Sequence, residues 1–128
     1  MFETIYRNLP GNPNWEGSFY EKLIEYGTWD MDEFWKLNVD LTEAARAFGT
    51  LTTVDREFAL AIVTLSDIVL AQLAARASGP GWYQIKTLTP DQIVDLTERF
   101  RLSILGVFSG EIVPESSFDM QNPYLQSS

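Results

Sequence analysis

Just ahead of three apolar-periodic runs, a residue whose side-chain oxygen can accept from backbone amides stands three positions before a glutamate or glutamine: Ser18 before Glu21, Asp30 before Glu33, and Thr89 before Gln92. A helix leaves its first amides without intrahelical partners, and this spacing satisfies two of them reciprocally, so each pair marks a helix start. The third pair adds Pro90 at the first helical position and Asp91 in the positively polarised first turn. Gly27, Gly49 and Gly110 supply stops, Gly49 being suited to the left-handed residue that follows a helix end. A fourth segment runs from about Val54, behind a Thr52-Thr53 cap, until Ser78-Gly79-Pro80-Gly81 breaks it. The chain is therefore expected to be mainly α, one domain over residues 1–128 built as a bundle of about four helices.

Apolar spacing sets the expected core. Phe19, Leu23 and Tyr26 share a face of the first helix, leaving Glu21 and Glu25 outward. Phe34, Leu37, Leu41, Ala45 and Phe48 form a stripe on the second, opposite Asp32, Lys36, Asp40 and Glu43. Trp35 lies about 100° from Phe34, at the edge of that stripe. Ile93, Leu96, Phe100, Ile104 and Phe108 mark the fourth. The third is apolar on nearly all sides, which reads as the central helix, and Asp67 within it is expected at a helix edge or paired with Arg99 or Arg101. Residues 82–86, Trp-Tyr-Gln-Ile-Lys, alternate and suit a short strand or an extended loop. From about Glu111 the tail is expected to be extended or partly disordered, with Ile112, Val113, Phe118 and Tyr124 able to lie across the bundle.

What the chain lacks narrows its chemistry. It has no cysteine and no histidine, which removes disulfides, thiolate nucleophiles, the commonest general base and the commonest metal ligand. Gly79-Pro80-Gly81 is followed by Trp82, not by the Lys-Ser/Thr of a phosphate loop. Asp30, Asp32 and Glu33 form the best carboxylate cluster, but no glycine or distal glutamate completes a calcium loop, and capping already explains two of them. Catalysis, cofactors and metals are accordingly not expected.

The formal net charge is −9, which opposes binding to a phosphate backbone. Residues 16–43 hold eight acids against Lys22 and Lys36, a net of −6, and Glu111, Glu115 and Asp119 supply the remainder. Met1–Pro10 offers neither a secretory apolar run nor a membrane span, and Phe58–Ala77 is interrupted by Asp67 and Arg76, so a cytosolic protein that does not enter a membrane is expected. An acidic helical protein without catalytic machinery is expected to work by binding another protein. Its candidate contact residues are Glu21, Glu25, Asp32, Asp40 and Glu43, with Trp29 and Trp35 serving either as interface anchors or as rings packed over helix ends. The loop around Trp82 and Tyr83 is the second choice.

Read in order, Ser18-Phe19-Tyr20, Trp29-Asp30, Glu33-Phe34-Trp35-Lys36-Leu37, Gly81-Trp82-Tyr83-Gln84-Ile85, Leu96-Thr97-Glu98-Arg99-Phe100 and Phe118-Asp119-Met120-Gln121-Asn122-Pro123 resemble an immunity-protein family of bacterial contact-dependent inhibition and related polymorphic-toxin systems. The likeness runs from about residue 15 to 125. It implies a cytosolic protein that binds the C-terminal domain of a cognate toxin, commonly a nuclease with a basic groove, and blocks its active site or substrate groove. It transfers no catalytic residues. An acidic adaptor or secretion chaperone, binding a partner without inhibiting it, is the alternative.

Overall fold

A computed structural model describes residues 2–125. Five α-helices follow one another: α1 (Glu3–Arg7), α2 (Phe19–Tyr26), α3 (Met31–Phe48), α4 (Arg56–Ser78) and α5 (Pro90–Ser109). Gly81–Tyr83 and Glu115–Ser117 form single 3-10 turns, and no strand occurs among the described residues. The chain is thus mainly α.

The cap residues act where the spacing puts them, with differences in how they close. Ser18 Oγ accepts from the Glu21 amide at 3.2 Å and Asp30 Oδ1 from the Glu33 amide at 3.0 Å. Only Thr89 and Gln92 form the reciprocal box. The Glu21 carboxylate reaches one residue further back, to the Gly17 amide at 3.0 Å, and is buried there, not outward as expected. α4 begins behind Asp55, which accepts from the Phe58 amide at 3.0 Å, so the cap is this carboxylate and not the Thr52-Thr53 pair. Two stops are left-handed, at Gly27 and Gly110, whereas Gly49 is right-handed. Gly49 is needed for space: a Cβ there would lie 2.2 Å from the Gly110 Cα, where the ends of α3 and α5 touch.

α3 and α4 both pack on α1, α2 and α5, so the centre is shared; α3 makes the more extensive contact, above all with α5, and buries Trp35 and Asn38 beside its apolar stripe. α4 buries Phe58, Ile62, Leu65, Val69 and Leu73 on one side and leaves Leu60 and Val63 exposed on the other. It is long and apolar enough to cross a membrane by length and composition. An all-round apolar helix does not encode which side meets the core, so its composition resembled that of a buried one. Asp67 lies on the exposed side; Arg99 and Arg101 pair instead with Glu115 and Glu98.

Residues 82–86 contain no strand. The Tyr83 amide bonds back to the Pro80 carbonyl at 2.8 Å, and the Tyr83 carbonyl accepts from Arg76 at 2.6 Å, so this backbone is used within the turn. Arg76 is buried, lies over the Tyr83 ring, and donates to the Ile24 carbonyl near the negative C-terminal end of α2. Tyr26, expected in the core, is 72% exposed because α2 ends at it and Gly27 turns the chain away. Phe48 is half-buried and Phe108 exposed, each at the last turn of its helix.

Candidate functional site

The acidic segment 16–43 presents less free acid than its sequence charge implies. Asp40 accepts from the Thr4 amide at 2.9 Å and so caps α1, which docks against α3; burial raises its carboxyl above the ordinary carboxylate value. Glu33 is held by Arg7 at 2.7 Å and Lys36 at 3.3 Å. Burial works to raise Asp30, but Lys22 at 2.5 Å and the Glu33 amide outweigh it and hold the carboxyl below its ordinary value. Apart from the buried Glu21, the remaining acids stand on the surface. Asp32 pairs with Lys36 at 3.2 Å and accepts from the Tyr124 hydroxyl, which together lower its pKa. Glu43 pairs with Arg46 at 2.8 Å, and Glu25 is exposed at the end of α2. The outer face of α3 therefore alternates in sign.

The two candidate tryptophans are interior. Trp29 is 4% exposed and packs edge-on to Phe19 at 4.8 Å and against Phe34 at 4.9 Å. Trp35 is 6% exposed beneath the Arg99 guanidinium. Of the seven candidates, Glu21, Trp29 and Trp35 are buried and Asp40 is tied to α1, which leaves Glu25, Asp32 and Glu43 as side chains a partner could touch.

A second polar constellation, which sequence reading missed, joins α3, α5 and the tail. Arg99 is 2% exposed and lies between the Trp35 ring at 5.0 Å and the Phe118 ring at 4.3 Å. It donates to Asn38 Oδ1 at 3.0 Å and to the Met120 carbonyl at 3.0 Å, and it forms an ion pair with Glu115. Burial lowers the Arg99 pKa and the Glu115 charge opposes that shift. Asn122, fully buried, donates to Asn38 Oδ1 at 3.1 Å and to the Trp35 carbonyl at 3.0 Å, while its own amide reaches Glu115 at 2.6 Å. The tail is thus fastened across the bundle by polar contacts, which apolar periodicity cannot reveal.

This cluster gathers Trp35, Arg99, Phe118, Met120 and Asn122 from three separated segments, none with a free nucleophile or base. Among the described residues no group of three acidic side chains is placed to hold a metal ion. The family model for immunity protein 41 matches residues 7–118. The chain belongs to the immunity protein 41 family. No curated protein and no solved structure matches it.

Membership implies that this immunity protein binds a cognate toxin protein and neutralises it. The matched span begins at Arg7, whose guanidinium donates to the Asn14 and Glu16 carbonyls, each at 2.8 Å, and ties that loop to Glu33 on α3. It closes at Phe118, against the Arg99 face. Most aromatic side chains in the segments that carry the resemblance are spent on this immunity protein's own fold. Trp82 is different: it is 77% exposed, touching Tyr83 edge-on at 5.9 Å.

Proposed function

We propose that this immunity protein acts in the cytosol as a stoichiometric, non-enzymatic inhibitor that occludes the active site or substrate groove of its toxin's C-terminal domain, a basic nuclease. Family membership carries the reading, because it makes the partner a toxin. A net charge of −9 supports the choice of toxin: a groove built for a polyanion attracts an acidic protein, and the attraction speeds encounter. The absence of histidine and cysteine from the sequence favours blockade over chemical destruction of the toxin.

The test is co-expression with the toxin domain encoded by the neighbouring reading frame. Growth should be rescued, the two proteins should co-purify at one to one, and nucleic-acid cleavage by the purified toxin should cease on titration to equivalence. Rescue without any nuclease activity in the free toxin would overturn the nuclease assignment. Co-purification with full toxin activity would point to an adaptor instead.

A further inference from the structure

About half of the large apolar side chains that the fold leaves exposed lie on one pair of helices and its connection, the others being scattered over the end of α2, the α3–α4 loop and the tail. α3 exposes no large apolar residue, whereas the α4–α5 hairpin exposes Leu60, Val63, Trp82, Val94, Leu105 and Phe108. The last turn of α4 and the first turn of α5 line one cavity, and Phe58 at the start of α4 packs on Phe48 beside the Gly49–Gly110 contact at the end of α5, so the helices run antiparallel, joined through the Gly81–Tyr83 turn. On α4, Leu60, Val63, Asp67 and Ala74 fall in one sector at about 100° per residue, and on α5 Val94 and Leu105 stand about three turns apart on one face. That cavity, about 300 Å³, opens beside Val94 and is lined mainly by Leu73, Ile85, Leu88 and Ile93, with Arg76 and Gln84 as its polar members.

Charge states what can cover this face. Asp67, Asp91 and Asp95 are exposed and form no ion pair among the described residues; Glu98 is matched by Arg101 at 3.0 Å, and Lys86 is the exposed base of the connecting turn. Arg56 and Glu57 at the start of α4 cancel. A second copy laid face to face would set these acids against themselves, a repulsive arrangement. A lipid surface would have to bury Asp67 in the middle of the apolar stripe. A protein with an apolar ridge flanked by lysines and arginines meets neither penalty.

Resting on the immunity reading above, we propose that the toxin docks on the outer face of the α4–α5 hairpin, with Trp82 as an anchor and the acids of that face opposed to basic residues of the toxin. The hairpin offers the combination from which interface hot spots are built: an exposed tryptophan in its connecting turn, a largely apolar cavity between its helices and a charged rim. The α3 acids, neutralised along their own helix, contribute little.

The experiment measures binding of the purified toxin domain by the full chain and by four variants. Trp82→Ala and Leu105→Ser should each weaken affinity by about tenfold or more. The double reversal Asp67→Lys with Asp95→Lys should slow association by about tenfold, while Asp32→Lys with Glu43→Lys should change it by less than about twofold. Thermal melting of each variant separates lost contacts from lost folding. A readout independent of affinity is the blue shift of tryptophan emission on complex formation, expected in the wild type and lost in Trp82→Phe. If the wild type does not bind the toxin, the immunity reading fails with this one. If it binds and the hairpin variants bind equally well, only the docking face is overturned. A toxin-free dimer abolished by Leu105→Ser, or co-flotation of the chain with phosphatidylcholine vesicles, would also overturn it.

Discussion

Arg99 shows how much of this fold depends on single polar side chains. A guanidinium taken out of water is tolerated only when its charge and its fork of donors are met, and Glu115, Asn38 and the Met120 carbonyl meet them here. Glu115 comes from the tail, so one ion pair fixes the course of the last part of the chain. Glu115→Ala should strand the buried charge and cost about 3–5 kcal/mol, read as a lower urea midpoint with little change in slope. Adding Arg99→Met removes that charge and leaves an apolar side chain between Trp35 and Phe118, so the double variant should be more stable than Glu115→Ala alone. A Glu115→Ala protein within about 0.5 kcal/mol of wild type would show that the pair does not hold the tail.

Between elements, the decisive contact is backbone on backbone. The ends of α3 and α5 meet at Gly49 and Gly110, and a Cβ on Gly49 would fall 2.2 Å from the Gly110 Cα and 2.5 Å from the Ala45 carbonyl oxygen. Neither neighbour is a side chain that can swing aside. Gly49→Ala should therefore cost about 1–3 kcal/mol, like other overpacked sites, and lower Tm accordingly. Gly81→Ala, with nothing within 4 Å of the added carbon, should stay within about 0.5 kcal/mol of wild type. Equal melting temperatures for the two variants would contradict the close approach. The same contact shows where sequence reading stops. The starts of α2, α3 and α5 are legible because a cap and its target lie three residues apart, whereas that of α4 falls at Asp55 and not at the Thr52-Thr53 pair, and the stripes on α3 and α5 are legible because their polar faces are distinct. Gly49 was read as a left-handed stop because nothing local reports that Gly110 lies against it. Glu21 and Asp40 looked like surface acids because the amides they accept from, at Gly17 and Thr4, lie off the helical repeat. α1 has five residues, too short for a period to show. α4 displays no polar side, so its outward face had to be seen in place.

At the scale of the whole molecule, charge acts in two directions. A net charge of −9 on a chain of this size repels itself in the folded state more than in the expanded one, so screening should favour the fold. The exposed ion pairs that salt would weaken, such as Glu43 with Arg46 and Glu98 with Arg101, are of the kind that contribute about 0–1 kcal/mol each. Raising sodium chloride from 0.02 to about 0.3 M shortens the Debye length from tens of ångströms to below about 10 Å and should raise Tm. The same change should slow association with a basic toxin, since steering depends on unscreened attraction, while dissociation, governed by apolar contacts such as those proposed for Trp82, should change little. Stability and on-rate should thus move in opposite directions along one salt series, measured by thermal melting and by stopped-flow mixing. An on-rate indifferent to salt would mean that the acidic surface does not face the toxin, whatever else holds the complex together.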